Sequence, residues 1–296
     1  MLVQIEKSRQ YAIQYGRILI LDTERSGLRL PFDKVFVANE FFGCDLIVWT
    51  KKIAREMDRI PTIIPSELRG KVSKYKSRWT PTTQNHVIRH TEVCIEFDFS
   101  RDHDAQLLVY EQAGGGTTSI DLLRCLSLRP SVVDQIAKRL IPLGHDYDAV
   151  HIRNTDYKTD YETFFRNCKS KFAGRPLLVC SDNAVVKENA RNLLDPSTTL
   201  LSVADVPYLE GRPLHLNHKI APYEAAIDLL SDLIAMVRSN TFIFAELQPS
   251  QEKAETVSGF SLLAENLRKY PDIIRELLRY LSQEDYIALY NINDLD

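Results

Sequence analysis

The stretch that decides the fold is YDAVHIRNTDYKTDYE, residues Tyr147–Glu162. Its first apolar residues, Ala149, Val150 and Ile152, predict a short strand whose near-continuous hydrophobicity is typical of a strand covered on both faces in an α/β sheet. The chain then turns polar at Arg153. Open α/β sheets hold their ligands at the carboxyl ends of their strands, so this polar run has the position of a binding site.

The position of Arg153 allows two interpretations. Arginines after strands often pair with a surface carboxylate, and such ion pairs are common and weak. Alternatively, the planar and permanently charged guanidinium grips a phosphate with two parallel hydrogen bonds. Position alone leaves both interpretations open.

The motif HIRNTD, residues 151–156, resembles the His-hydrophobic-Arg-x-x-Asp signature of the fucosyltransferase superfamily. That superfamily includes the α1,6-fucosyltransferases, the nodulation fucosyltransferase NodZ and the protein O-fucosyltransferases. In the family, the arginine that matches Arg153 holds the diphosphate of the GDP-fucose donor. The resemblance therefore implies that His151 and Arg153 bind the donor, and that Asp156 orients Arg153 or its loop.

A second block, PLLVC at 176–180, predicts a buried strand that ends at Ser181, Asp182 and Asn183. It resembles the family's apolar strand followed by a small residue and one or two aspartates that meet the donor nucleoside. Asp182 matches the first aspartate. Asn183 stands where many relatives have the second, so the sequence departs from the family by one charge at the position implied to recognise the base.

A third block in the family is a hydroxyl-rich loop that follows a strand and grips the phosphates. Here the matching strand is expected at Thr241–Ala245, and the polar residues 246–255 interrupt the pattern like an insertion. Ser258, Gly259 and Ser261 then supply the hydroxyls and the glycine, so the phosphate loop is expected there. Relatives usually run straight from the strand into this loop, which makes the interruption a second departure.

The resemblance implies an α/β fold of the GT-B type, with two Rossmann-like domains that face each other across a cleft. We expect an N-terminal acceptor-side domain over 1–143, a nucleotide-sugar-binding domain over 144–270, and a terminal helix over 271–296 that packs back toward the N-terminal domain. In the family, the first helix follows a strand and a Gly-Leu-Gly-Asn loop, neither of which precedes Met1. The N-terminal domain is therefore expected to lack its first strand.

A glycine-rich loop separates an expected strand, Leu107–Tyr110, from an expected helix, Ile120–Leu128. Several backbone N–H groups at a helix N-terminus form a natural anion site, which would place this loop at the cleft. An ordinary tight turn with a Ser/Thr cap explains the same residues equally well. The loop residues are Gly114, Gly115, Gly116 and Thr117.

Two pairs of residues have the spacing of metal ligands, but neither pair completes a metal site. His86 and His90 stand four apart, but the segment between them is β-branched and no third ligand is evident. Asp102 and Asp104 form an Asp-x-Asp pair, which binds a divalent cation in the other large glycosyltransferase fold, although a charged turn is favoured here. No metal is expected.

The C-terminal part of the chain contains two strongly apolar helical patterns. The first, Ala225–Val237, carries Asp228 and Asp232 one turn apart, and these carboxylates are expected to cap or to pair with neighbouring cations. The second, Pro271–Tyr290, has the apolar spacing of a helix, with its stripe buried in the core.

Composition excludes several classes of protein. With 296 residues and 44% hydrophobic content, the chain can bury one large core or two smaller ones. A net charge of -3 does not indicate a nucleic-acid surface. The scattered cysteines lack a CxxC pair and fit a reducing compartment, and no apolar segment approaches the roughly 20 residues that span a bilayer. We expect a cytoplasmic, bacterial protein without a signal peptide, and peripheral contact with a membrane stays open.

The residues suit sugar transfer without a metal. Breakage of the donor builds negative charge on the leaving diphosphate, which cations and N–H donors must stabilise. Arg153 is the expected cation, and the segment Ser258–Ser261 supplies the expected donors. The acceptor hydroxyl also needs a base, for which Asp160 and Glu162 are both candidates.

We therefore expect an inverting glycosyltransferase that moves fucose from GDP-fucose to a glycan or glycoconjugate acceptor in polysaccharide biosynthesis, with no cofactor beyond the donor. Two alternatives stay open: a nucleotide-sugar-binding homologue impaired in catalysis, and a transferase that uses a different nucleotide sugar. The first is favoured by Asn183 and by the missing first strand. A sugar-phosphate-utilising enzyme on the same scaffold is disfavoured, since fold alone does not determine chemistry.

Overall fold

A computed structural model describes residues 1–80, 82–112, 119–208, 220–248 and 256–290. In this part of the chain, no helix has the length and the apolar character that crossing a membrane requires. In chain order the helices and strands are α1 (Leu2–Tyr15), β1 (Leu19–Leu21), β2 (Phe36–Ala38), β3 (Leu46–Val48), α2 (Lys51–Met57), β4 (Ile63–Ile64), β5 (Ser77–Thr80), β6 (Asn85–Ile88), β7 (Leu107–Leu108), α3 (Ser119–Leu123), β8 (Leu126–Leu128), α4 (Pro130–Leu140), β9 (Asp148–Ile152), α5 (Tyr161–Cys168), β10 (Pro176–Ser181), α6 (Ala184–Leu193), β11 (Thr199–Leu201), α7 (Pro222–Arg238), β12 (Phe242–Phe244), α8 (Gly259–Leu267), α9 (Pro271–Leu277) and α10 (Gln283–Leu289).

The chain forms two compact units. The first comprises Met1–Asp33 and Ala38–Cys125, and the second comprises Lys34–Val37 and Leu126–Asp296. The division therefore falls earlier than the expected boundary after residue 143, because α4 packs against α7 of the second unit. Each unit is described by itself.

The first unit begins with α1, which ends where the sequence predicted. Gly16 follows the helix in the left-handed conformation, with φ 63°, which a residue without a Cβ adopts at little cost. Strand β1 pairs in parallel with β3, β4 pairs in parallel with β7, and β5 and β6 form an antiparallel hairpin. The absence of a further first strand stays a prediction.

The expected helix at Ile120–Leu128 is wrong over its second half. Helix α3 stops at Leu123, and Leu126–Leu128 forms the strand β8, which pairs with β2. All of the β8 residues are buried. A short apolar run fits a buried helix and a buried strand equally well, so periodicity alone could not separate them.

The second unit contains a parallel four-stranded sheet in the order β11-β10-β9-β12. Helices α5, α6 and α7 lie between successive strands of the sheet along the chain. This order matches the first four strands of the doubly wound nucleotide-binding pattern, in which ligands bind where the strand order reverses. Here the reversal lies between β9 and β12. Every residue of β9 is buried, including the polar Asp148 and His151, as the near-continuous hydrophobicity of the strand predicts.

The C-terminal segment forms two helices instead of the single helix expected over 271–290. Leu278 leaves the helical conformation after α9, and Ser282 caps α10 by accepting a hydrogen bond of 3.0 Å from the Asp285 N–H. Helix α9 contacts β8 and α8, and α10 contacts α4. The expected boundary assigned α4 to the N-terminal domain, whereas the structure assigns it to the same unit as the terminal helices.

Replacement of Phe165 by alanine tests the core of the second unit. Phe165 is fully buried beside Val150 and Ile152 of β9. We expect Phe165→Ala to lower the free energy of unfolding by about 3–5 kcal/mol, since the loss of buried surface adds to the cost of a cavity. Urea titration followed by circular dichroism measures this. Phe164→Ala is the matched control, because Phe164 is only half-buried, and an equal loss in both variants would contradict this packing.

Candidate functional site

The predicted motif residues lie at the carboxyl edge of the parallel sheet. In register, Ile152 of β9 lies opposite Ser181 of β10, so the residues that follow the two strands emerge side by side. On the other side of β9, the Ala245 N–H donates a hydrogen bond of 3.1 Å to the His151 carbonyl. Segments that stand far apart in the sequence therefore meet at one edge of the sheet.

Asp182 organises the loop that follows β9. Its side chain is buried, and its carboxylate accepts hydrogen bonds from the Asn154 N–H at 2.7 Å and from the Thr155 hydroxyl. Its Oδ2 also lies 3.2 Å from Nε of Arg153. The family resemblance implied that Asp182 meets the nucleoside, which stays a prediction; within the described residues its carboxylate holds the HIRNTD loop in place.

Arg153 is oriented by two carboxylates and remains accessible. Its Nη2 and Nε lie 2.6 and 3.0 Å from Oδ1 of Asp156, which is the orienting contact that the sequence predicted. The arginine side chain is 24% exposed. Its Nη1 makes no hydrogen bond with any residue that the structure describes, so one arm of the guanidinium is available to a ligand.

His151 is buried next to Arg153 and is uncharged. Its Nδ1 lies 2.6 Å from Oγ of Ser261, and the edge of its ring faces Phe260 at 5.4 Å between ring centroids. Burial, assisted by the positive charge of Arg153, lowers the pKa of His151 to about 3. A neutral imidazole can join hydrogen bonds but adds no positive charge to the site.

The expected phosphate loop forms the N-terminus of α8. Ser258 caps this helix and accepts a hydrogen bond of 3.3 Å from the Phe260 N–H. Among the described residues, no atom lies within 4 Å of where a Cβ would stand on Gly259, so there is space beside the first turn. Ser261, in contrast, is fully buried and bonded to His151, which differs from the expected direct contact with phosphate.

Asn183 has a structural role that explains why it is not an aspartate. Its side-chain N–H group donates to the Asn154 carbonyl at 2.9 Å, while its Oδ1 accepts from the Val185 N–H at 3.0 Å and caps α6. An ionised carboxylate could accept at this position but could not donate. Asn183, which stands where many members of the resembling family have an aspartate, therefore makes a hydrogen bond to Asn154 that an ionised aspartate could not donate.

The two candidate bases, Asp160 and Glu162, lie at the N-terminus of α5. Asp160 caps α5, and the hydrogen bond from the Thr163 N–H lowers the pKa of Asp160. Glu162 pairs with Arg166 one turn later, at 2.7 Å. Both side chains are exposed, and the assignment of either as the acceptor base stays a prediction.

Sequence reasoning missed the chemistry of Asp232. Asp228 forms an ion pair with Arg139 as expected, but Asp232 is buried and accepts from the Cys180 thiol and the Ala204 N–H. Its Oδ1 has no hydrogen-bond partner in the described part of the chain. Burial raises the pKa of Asp232 to about 6. The available signal was an aspartate on the apolar face of a long helix.

The other predicted residues belong to the first unit, and some of them lie outside the described residues. The loop Gly114–Thr117 lies outside the described residues. His86 belongs to β6 and lies 3.4 Å from Glu111, so the two histidines do not share a helix face. Asp102 forms an ion pair of 2.7 Å with Arg17, which favours a charged turn. Within the described ranges, no group of three or more His, Cys, Asp or Glu side chains could hold a metal ion.

Comparison with known proteins finds similarity at the level of structure. No family model matches the chain, and no curated protein matches it significantly. A crystal structure of fucosyltransferase NodZ from Bradyrhizobium matches with a TM-score of 0.55 and 18% identity, over 89% of this chain and 87% of that one. NodZ α-1,6-fucosyltransferase co-crystallised with GDP matches with a TM-score of 0.54 and 17% identity, over 89% and 87% of the chains. The same enzyme soaked with GDP-fucose gives 0.52 and 18%, over 89% and 86%.

These matches confirm the predicted α/β class, since the chain has the mixed α/β fold of NodZ. They extend over most of both chains, so the similarity is not restricted to the sheet that carries HIRNTD. At this identity they establish the fold, and the chemistry has to be argued from the residues.

The buried neutral histidine predicts a dependence of stability on pH. The unfolded chain binds a proton at His151 below its ordinary pKa of about 6.5, whereas the folded chain does so only near 3. Stability is therefore lost as pH falls below about 6.5, with a slope of up to about 1.4 kcal/mol per pH unit. His151→Asn, which keeps a hydrogen-bonding atom near the position of Nδ1, should flatten this slope in urea titrations between pH 4 and 7. Equal slopes in the two proteins would contradict the assignment.

Proposed function

We propose that this protein is a metal-independent, inverting glycosyltransferase of the GT-B type that moves fucose from GDP-fucose to a hydroxyl of a glycan or glycoconjugate. The observation that carries the proposal is Arg153 at the reversal of strand order, oriented by Asp156 and Asp182 with Nη1 available. The matched NodZ structures, crystallised with GDP and soaked with GDP-fucose, support this choice of donor.

Arg153 supplies the charge that the leaving diphosphate needs. A guanidinium binds two phosphate oxygens through parallel N–H groups, and the interaction strengthens as the bond to the sugar breaks and negative charge accumulates. Because Asp156 and Asp182 hold the side chain before a ligand arrives, little orientation remains to be lost on binding. This arrangement stabilises the departing diphosphate without a metal ion.

The N-terminus of α8 supports the same role. Its first backbone N–H groups and the positive end of its dipole favour an anion, and the space beside Gly259 leaves room for one. Ser258 lies at the cap of this helix, while Ser261 reaches His151 from within it. We propose that Ser258 and Gly259 meet the phosphates and that Ser261 and His151 position the helix against β9.

Asp232 is the residue best suited to select guanine. It lies beside Cys180 at the end of β10 and beside Ala204 after β11, which is the carboxyl edge of the sheet. Guanine presents N–H donors at its N1 and N2 atoms, whereas adenine presents a lone pair at N1 and no 2-amino group. An ionised carboxylate whose Oδ1 has no partner among the described residues therefore favours GDP over ADP.

The acceptor base is proposed to be Asp160 or Glu162, and their contacts also support an alternative function. Because Asp160 caps α5 and Glu162 pairs with Arg166, neither carboxylate is held ready for an acceptor hydroxyl. This observation favours the nucleotide-sugar-binding homologue impaired in catalysis. Release of GDP from GDP-fucose that depends on an added acceptor would identify a transferase, whereas binding without release would identify the alternative.

Replacement of Arg153 by lysine tests the diphosphate contact. An ammonium group cannot reproduce the forked guanidinium, so Arg153→Lys should raise the Kd for GDP by about tenfold or more, measured by calorimetry. Arg166→Lys, an exposed arginine in the same unit, is the matched control and should leave the Kd unchanged. Near-normal GDP affinity in Arg153→Lys would contradict the proposal.

Replacement of Asp232 by asparagine tests base selection. The affinity for GDP should fall and the ratio of GDP to ADP affinity should shrink by about tenfold or more, because the charged acceptor is lost. With a pKa of about 6, Asp232 is protonated at lower pH, so the GDP affinity of the unaltered protein should also fall below about pH 6. Asp228→Asn, one turn away, should keep the selectivity. Unchanged selectivity in Asp232→Asn would remove this residue from the site without affecting the role of Arg153.

A further inference from the structure

A second cluster of positive charge lies in the first unit, whereas the residues assigned above belong to the second unit. It lines a pocket of about 450 Å³ between the segment Glu67–Lys76 and the end of the β5–β6 hairpin at Ile88–Thr91. Tyr75 also lines the pocket. The basic side chains that line it are Lys71, Lys74, Lys76, Arg89 and His90.

The basic side chains of this pocket make no direct ion pair within the described part of the chain. None of them forms a salt bridge or a hydrogen bond with a described residue. Glu67 is the acidic residue of the lining, and Asp58, which interacts electrostatically with Lys74, uses its carboxylate to bind Ser73.

Four arginines of the same unit differ from Arg89 of the pocket, because each of the four is paired with a carboxylate. The paired arginines are Arg9, Arg17, Arg25 and Arg78.

Backbone pairing brings Lys76 and Arg89 together. The hairpin register sets Ser77 opposite Ile88, and the Arg89 N–H donates to the Lys76 carbonyl at 2.7 Å, so Lys76 and Arg89 extend the ladder as neighbours of like charge. Like charges directly opposite each other destabilise a strand pair. His90 adopts φ 67°, which is uncommon for a residue with a Cβ. Both features cost stability, and backbone outliers of this kind concentrate at functional positions.

We propose that this pocket binds a small phosphorylated molecule such as a sugar phosphate. Lysine and arginine bind phosphate through charge-assisted hydrogen bonds, and a histidine N–H can add a further donor. The volume falls within the range of small-molecule sites and exceeds what one phosphate group needs, which leaves room for an organic body. This proposal does not rest on the proposed transfer of fucose.

Site-resolved NMR titration with glucose 6-phosphate tests the proposal. Amide resonances of Lys71–Lys76 and Ile88–Thr91 should shift together and saturate, with an affinity that falls as salt is raised. Inorganic phosphate should bind more weakly, and neutral glucose should leave these resonances unchanged. Signals of Arg153 and its neighbours report the other site separately, so the two proposals fail independently.

Two triple variants complete the test, because they remove the same amount of positive charge from different parts of the first unit. The variant Lys71→Gln/Lys74→Gln/Lys76→Gln should weaken binding of glucose 6-phosphate by about tenfold or more. The control variant Lys51→Gln/Lys52→Gln/Arg55→Gln removes as many exposed charges from α2 and should change the affinity less than about twofold. Equal losses in the two variants, or no saturable shift in either segment, would overturn the proposal. Binding of inorganic phosphate as tight as that of glucose 6-phosphate would overturn the assignment to an organic phosphate.

Discussion

The carboxylate of Asp182 is the group on which the geometry of the candidate site depends. Parallel pairing brings the ends of β9 and β10 together, but pairing alone does not determine the path of the chain beyond the last ladder residue. Asp182 does so by accepting from the Asn154 N–H and the Thr155 hydroxyl and by lying against Arg153. A buried carboxylate is stable only with such partners. The charge of Asp182 is therefore compensated only when the loop folds and brings its donors to the carboxylate.

A second set of contacts holds His151, two residues before the arginine. Ser261 of α8 bonds to His151, whose neutral state follows from burial and from the neighbouring guanidinium. The helix that carries the expected anion site is thereby attached to the strand that carries the expected cation. Groups held in this way lose little orientational freedom when a charged ligand arrives, which is the physical basis of a preorganised site.

Local patterns predicted the strand and helix types of the second unit well, because continuous apolar strands alternate there with amphipathic helices. They failed where a short apolar run could be either element, as at Leu126–Leu128, and where a capping serine divides a periodic segment, as at Ser282. The motif residues were recognisable from their order. Asp232 was not, since its burial depends on packing between α7 and the ends of two strands, which no local pattern records. Lys34–Val37 belongs to the second unit, and this assignment likewise depends on contacts between residues far apart in the sequence.

The pairing of β2 with β8 has a consequence while the ribosome synthesises the chain. The ribosome releases β2 with the first unit, whereas its partner β8 appears only about 90 residues later, when most of the first unit is already complete. Until then the polar backbone edge of β2 has no strand to pair with, and an open edge of this kind attracts other chains. A nascent chain in this interval therefore carries an open strand edge with which other copies can pair, and slow elongation through the interval would prolong the exposure.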